Sequence, residues 1–134
     1  MTILAAIDDT MASAPIIETA EELATGLNQE LLLLHVMPEE NDEETTREAV
    51  EEVVAASTEG LDPTIRIVPE AAKRDVPSGR IAASIMAVAD EVDPSYLVIG
   101  SRKRTPVGKV LLGSVSQPVL LETDRPVVTV RQES

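Results

Sequence analysis

Two stretches of this chain carry residues suited to ligand chemistry. The first is the acidic pair Asp8 and Asp9, which follows the apolar run ILAAI. The second is GSRKRTPVGKVLLGSVS, which begins at Gly100. A glycine lets an anion approach the backbone, a helix N-terminus and the hydroxyls of Ser114 and Ser116 donate hydrogen bonds, and Lys or Arg neutralises charge. The second stretch therefore favours a phosphate site.

Familiar motifs narrow the class of ligand site. The sequence has no Walker A motif, because Gly108-Lys109 is followed by Val110 instead of Ser or Thr, and it has no G-x-G-x-x-G run. These features argue against a P-loop NTPase and a dinucleotide-binding Rossmann domain. An acidic pair after strand one is also typical of response-regulator receivers. However, the run TIRIV leads into Pro69 with no phosphoacceptor Asp, so a receiver is not favoured.

The residues around these stretches alternate between apolar runs and helical patterns. Five runs predict strands at 3–8, 30–37, 64–68, 96–100 and 127–130, with a helical pattern between each pair. This order predicts βαβ units, and thus a single doubly wound α/β domain over 1–134. Its five-stranded parallel sheet would have helices on both faces, with 64–68 as an edge strand. Ligands bind such sheets at the carboxyl ends of the strands, where Asp8 and Gly100 fall.

Capping signals predict where the four helices begin. Their expected N-terminal residues are Ser13 followed by Pro15, Asn41 with Glu44, Ser78, and Gly113–Ser114 with Gln117. Asp9 is read as a cap for the turn that precedes the first helix.

Charge and composition exclude several function classes. The 134 residues carry a formal net charge of −13, which disfavours nucleic-acid binding, and Tyr96 is the single aromatic residue. There is no Cys and one His, His35, so thiol and multi-His metal sites are excluded, and His35 is expected to be a hydrogen-bonded residue at a strand end. The acidic run from 39 to 52 lacks EF-hand spacing and is read as a solvated face.

The acid excess is unevenly distributed. Residues 94–121 contain no acid and four bases, Arg102, Lys103, Arg104 and Lys109, which make a candidate anion site. Many carboxylates and few Lys also suit a salt-rich cytoplasm, so a halophilic source is one interpretation and an ordinary acidic protein is the other. No leader or bilayer-length apolar segment is evident, and we expect a soluble cytoplasmic protein.

The chain resembles the universal stress protein family over essentially its whole length. The resemblance rests on the ILAAIDDT start, the LLLLHV run, and VIGSRKRTPVGKVLLGSVS followed by RPVVTV. The nucleotide-binding branch of that family has the pattern G-x2-G-x9-G-[ST]. Gly100, Gly113 and Ser114 match this pattern, and Lys103 stands at the position of its second Gly.

The resemblance implies an adenine nucleotide alpha hydrolase-like fold that binds ATP or another adenine nucleotide, with Mg as an accompanying metal. Ala6, Ile7 and Val36 would lie near adenine, and Asp8 would approach the nucleotide or its metal. The ribose and phosphates would be surrounded by Ile99, Gly100, Lys103, Gly113, Ser114, Val115 and Ser116.

Three functions follow as hypotheses. The first is a cytoplasmic, non-enzymatic nucleotide sensor or regulator in a stress response, which would form a homodimer through the last strand, Val127–Val130. The second is a nucleotide-independent homodimeric interaction module whose phosphate site is altered by Lys103. The third is a weak ATPase or adenylyl-transfer domain.

Overall fold

The computed structural model describes residues 1–72, 79–101 and 113–132. Its strands are β1 (Thr2–Ala6), β2 (Glu30–Met37), β3 (Thr64–Pro69), β4 (Tyr96–Ser101) and β5 (Val127–Arg131). Its helices are α1 (Ala14–Leu27), α2 (Glu43–Ser57), α3 (Arg80–Val92) and α4 (Ser116–Glu122), and a 3-10 turn, Met11–Ser13, precedes α1. The predicted order of strands and helices is confirmed, while a single domain over all of 1–134 stays a prediction.

The five strands form one parallel sheet in the order β3-β2-β1-β4-β5. β1 therefore lies at the centre, with β2 on one side and β4 on the other. The chain first builds outward from β1 to β3 and then returns to add β4 and β5 on the opposite side. This is the doubly wound topology that the alternation of strands and helices predicted.

Successive residues of the central strand face opposite layers of helices. Ile3 and Ala5 pack with α1 and α2, whereas Leu4 packs with α3 and α4, and all three are fully buried. Because side chains alternate across a strand, a sheet covered on both faces needs a continuous apolar run. The ILAA sequence of β1 meets this need, which explains why the buried strands are predictable from sequence.

The two outer strands differ from the central ones. β3 has no buried residue, and its alternating sequence correctly predicted an edge position. β5 forms the other edge, with Thr129 and Arg131 exposed. Strand one is shorter than predicted and ends at Ala6, so that Asp8 lies in the loop that follows it.

Two of the predicted caps are wrong, and a third is right in position only. Ser13 is the N-cap residue of α1 and Pro15 lies in the first turn, as predicted, but the Ser13 hydroxyl makes no cap hydrogen bond to that helix. α2 is capped by Asp42 instead of Asn41, because the Asp42 carboxylate accepts a hydrogen bond from the Thr45 N–H at 2.9 Å. The turn before α1 is capped by Thr10, whose hydroxyl accepts from the Ala12 N–H, instead of by Asp9.

The starts of the last two helices also depart from expectation. The residue before α3 is Gly79, which has a φ of 71° that only glycine adopts easily, and Ser78 lies outside the described residues. α4 begins at Ser116 instead of at Gly113–Ser114, and no side chain caps it. A turn that joins the Gln117 N–H to the Gly113 carbonyl precedes this helix.

The cap at Asp42 makes a pH-dependent prediction. Hydrogen bonds from the Thr45 backbone N–H and then the Thr45 hydroxyl hold the pKa of Asp42 below its usual value. A lowered folded-state pKa stabilises the fold above the unfolded-state pKa, and this contribution is lost as the pH falls through the folded-state pKa. Asp42→Ala should therefore lower the free energy of unfolding at pH 7, and the deficit should shrink below about pH 4.

Urea unfolding of both proteins between pH 7 and pH 2 measures this difference, with Asn41→Ala as the matched control. We expect Asn41→Ala to leave stability unchanged at every pH. A deficit in Asn41→Ala that equals the one in Asp42→Ala would contradict the assignment of the cap.

Candidate functional site

A cleft of about 230 Å³ opens at the carboxyl ends of β1, β2 and β4. Its walls come from both layers of helices, with Ile16 of α1 on one side and Ile81 and Ile85 of α3 on the other. The cleft lies where the strand order reverses, because the chain leaves β1 toward one face and leaves β4 toward the other. The topology thus opens a gap between two helix layers beside the end of the central strand.

The cleft brings together ten of the eleven residues that the sequence nominated for ligand binding. They are Ala6, Ile7, Asp8, Val36, Ile99, Gly100, Gly113, Ser114, Val115 and Ser116. The eleventh, Lys103, lies outside the described residues, as do Arg102, Arg104 and Lys109. The ligand role of all eleven residues stays a prediction.

Six further residues line the cleft and were not nominated: Ile16, Leu34, His35, Ile81, Ile85 and Gln132. The apolar members follow the helical and strand patterns of core residues, so the sequence gives no separate signal for them. Gln132 follows β5 at the far end of the chain, and only the tertiary structure places it beside Asp8. Strand order is the information that would have found it.

Asp8 is held from two directions. Its backbone N–H donates to the hydroxyl of Ser13, which is fully buried, at 2.6 Å. Its carboxylate accepts a hydrogen bond from Gln132 Nε2, with 3.1 Å between Nε2 and Oδ2. The loop after β1 is therefore fixed, and the Asp8 carboxylate is engaged with another side chain of the same protein.

Gln132 reaches Asp8 by lying across Gly100. A Cβ atom on Gly100 would lie 2.6 Å from the Gln132 Cδ and 2.7 Å from its Cγ, distances that real Cβ contacts do not reach. A side chain at position 100 would therefore displace the flexible end of the Gln132 side chain. The sequence offered a different reason for this glycine, namely room for an anion beside the backbone.

His35 joins the ends of the two central strands, as its position at a strand end predicted. Its Nδ1–H donates to the carbonyl oxygen of Ile7 at 2.9 Å, and the Ile7 N–H donates to the carbonyl of Leu34 at 2.8 Å. A carbonyl can only accept, so Nδ1 carries a proton. Nε2 is buried and has no hydrogen-bond partner among the described residues.

Ser116 has a structural hydrogen bond. Its hydroxyl donates to the carbonyl oxygen of Gly100, and its side chain is buried. The expectation that this hydroxyl donates to a phosphate stays a prediction, since a hydroxyl can rotate from one acceptor to another. Ser114 is exposed at the mouth of the cleft and keeps that capacity. Ser116 instead fixes the start of α4 against the end of β4.

The polar character of the described cleft is limited. Asp8 and His35 are the titratable groups among its described lining residues. No group of three or more His, Asp or Glu side chains in the described parts of the chain could hold a metal ion. A divalent cation at Asp8 would therefore need most of its oxygen ligands from a bound molecule.

No helix in the described ranges is both long enough and apolar enough to cross a membrane. The longest, α2, has 15 residues and an acidic first turn.

Comparison with known proteins identifies the family. A sequence profile described as the universal stress protein family matches residues 1–131. A universal stress protein of Mycolicibacterium smegmatis is 51% identical over 47 residues, which make up 35% of this chain and 36% of that protein. The matched segment thus spans about a third of that relative.

Solved structures share the fold over nearly the full length. A universal stress protein from Archaeoglobus fulgidus is 25% identical, with a TM-score of 0.72 over 97% of this chain and 98% of that chain. A universal stress protein in complex with cAMP is 24% identical, with a TM-score of 0.68 over 99% of this chain and 98% of that chain. These likenesses show the shared fold, and the profile match over residues 1–131 shows that the chain belongs to the universal stress protein family.

Proposed function

We propose that this chain is a cytoplasmic stress-response protein that binds an adenine nucleotide and acts as a sensor or regulator without catalysing a reaction. The observation that carries the proposal is the cleft at the strand ends. It gathers the described residues that match the nucleotide-binding pattern, Gly100, Gly113 and Ser114, with those expected near adenine. A neighbour with the same fold holds cAMP, which supports an adenine nucleotide as the ligand class.

The cleft has one apolar end and one polar end. Val36, Ile85 and Ile99 are buried side chains in its wall, and the two faces of a flat aromatic ring such as adenine pack well against side chains of this kind. Asp8 and Ser114 belong to the opening, where a ribose hydroxyl or phosphate oxygen can find polar partners. A volume of about 230 Å³ is small for ligand sites, which usually measure about 300–1,000 Å³. We therefore expect the nucleotide to fill the cleft and its phosphates to lie at the opening, beside Asp8 and Ser114.

Mg accompanies the nucleotide in this proposal. Asp8 is the residue that would contact it, with phosphate oxygens completing the ligand set, because the described residues alone offer no cluster of ligands. When bound, the ion neutralises phosphate charge beside an acidic side chain. ATP is the favoured nucleotide, on the resemblance of the segment after β4 to the family pattern.

A larger side chain in the cleft should weaken nucleotide binding. Ala6→Leu adds three carbon atoms to the floor of a small cleft, and it should weaken the binding of ATP and AMP about tenfold or more. Isothermal titration calorimetry with and without Mg measures this change. Ala55→Leu on the exposed side of α2 is the matched control and should bind as the parent protein does.

Gly113→Val, on another wall of the cleft, should also weaken binding while leaving the thermal midpoint of unfolding near that of the parent. A parent protein that releases no nucleotide on denaturation and gives no heat with AMP, ATP or cAMP would contradict the proposal. That result would instead favour the nucleotide-independent interaction module, with Lys103 as the residue to revert to Gly.

The absence of catalysis is a second part of the proposal. His35 commits its Nδ1–H to the Ile7 carbonyl, and its Nε2 is buried, so neither nitrogen is placed to activate a water molecule. We expect no ATP turnover above buffer in a phosphate-release assay. Turnover that Asp8→Ala abolishes would show an enzyme and contradict this part.

A homodimer through β5 completes the proposal. β5 is an edge strand, and an exposed edge offers unpaired N–H and C=O groups to a second copy. The Leu97 N–H donates to the Pro126 carbonyl, and the Gln132 N–H donates to the Ser101 carbonyl. The backbone N–H and C=O groups of the even-numbered residues in β5 therefore point toward β4. The backbone groups of Thr129 therefore face outward, because ladder bonds alternate along a strand.

Thr129→Pro should convert the dimer to a monomer, since it removes one outward N–H and leaves the bonds to β4 intact. Multi-angle light scattering measures the mass, with Thr129→Ala as the control that keeps the N–H. A monomeric parent protein, or a Thr129→Pro variant that remains a dimer, would rule out this interface.

A further inference from the structure

Gln132 occupies a position that neither the family pattern nor the sequence assigns to the ligand site. It follows the edge strand β5, yet its side chain crosses the neighbouring strand β4 and ends beside the loop after β1. The crossing is possible because Gly100 has no side chain. Three strands are thereby connected by one side chain at the mouth of the cleft.

Gln132 contacts two residues that are expected to bind the nucleotide, Asp8 and Gly100. Gln132 Nε2 donates to Asp8 Oδ2 at 3.1 Å, and its Cγ, Cδ and Oε1 cover Gly100. Gln132 also lines the cleft together with Ser114. A ligand that contacts Asp8 and the Gly100 backbone needs the space and the hydrogen-bonding capacity that Gln132 uses.

We propose that Gln132 is a latch, a side chain that closes the cleft on Asp8 in the ligand-free protein and must leave Asp8 when a nucleotide binds. The latch rests on the proposed function, and it adds a specific competitor within the chain for the same site. The amide fits this role because it is neutral, so that it can donate to the carboxylate without forming a tight ion pair. Ligand binding is then opposed by the fraction of molecules in which the latch is closed.

Competition between Gln132 and the nucleotide for Asp8 should raise the apparent dissociation constant of the nucleotide. When only a fraction of molecules is competent to bind, the apparent dissociation constant equals the intrinsic one divided by that fraction. With the latch closed in most molecules, its removal should tighten AMP and ATP binding about three- to tenfold. If Gln132 instead contacted the ligand, its removal would weaken nucleotide binding.

Two substitutions separate the hydrogen bond from the bulk of the side chain. Gln132→Ala removes both, whereas Gln132→Met keeps a side chain of similar length over Gly100 and removes the amide. We expect both variants to bind AMP and ATP more tightly than the parent in calorimetric titrations. Thr129→Ala, exposed on the same strand, is the matched control and should bind as the parent does.

Nuclear magnetic resonance of the Gln132 side-chain amide tests the closed state without any ligand. In the ligand-free parent, 15N relaxation should show a restricted Nε2 group, and the group should become mobile in Asp8→Ala. Addition of AMP to the parent should release it in the same way. A mobile Gln132 amide in the ligand-free parent would overturn the latch.

The remaining outcomes separate this inference from the proposed function. Parent and Gln132 variants that bind AMP equally, or weaker binding in the variants, would overturn the latch and leave the proposed function standing. Tighter binding in Gln132→Ala alone would show that bulk over Gly100, and not the bond to Asp8, closes the cleft, which also overturns the latch. If no variant binds AMP or ATP, the proposed function fails, and with it the competitive role of Gln132.

Discussion

The position of β1 at the centre of the sheet is the constraint on which the rest of this structure depends. β1 and β4 are neighbours, and the connections that follow these two strands go to opposite faces of the sheet, which leaves a cleft at the strand ends. The two apolar clusters hold the helix layers against the two faces of β1. The cleft is therefore a consequence of topology, and its chemistry is supplied by the few side chains that the strand ends deliver to it.

Those side chains are tied to one another by short polar contacts. Ser13 fixes the backbone of Asp8, His35 fixes the end of β1 to the end of β2, and Ser116 fixes α4 to the end of β4. The His35 and Ser116 contacts join residues 28 and 16 positions apart in sequence, so the geometry of the cleft depends on the folded state as a whole. Gln132 differs from these residues because its bond to Asp8 lies at the opening, where it can be exchanged for a bond to a ligand.

Much of this arrangement is predictable from the sequence, for identifiable reasons. Buried parallel strands must be continuously apolar, so the runs ILAA and LLLL predict β1 and β2. The alternation of apolar and polar residues in TIRIV predicts an edge strand. Capping was less predictable, because Asn41 and Asp42 are adjacent and equally suited, and the backbone geometry selects Asp42. Gln132 was not predictable, since it depends on which strand lies beside β4. The bond from the Ser116 hydroxyl to the Gly100 carbonyl was likewise not predictable, because it joins residues 16 positions apart across the fold.

The measurement that tests this account most directly is a chemical-shift map of the backbone amides during titration with AMP. The account predicts saturable shifts at Ala6, Ile7, Val36 and Gly100, around the cleft. It predicts none in the acidic groove between α1 and α2 that contains Glu18 and Gly26. Saturable shifts centred on that groove, or none anywhere at millimolar AMP and ATP, would contradict the claim that the cleft at the strand ends is a nucleotide site.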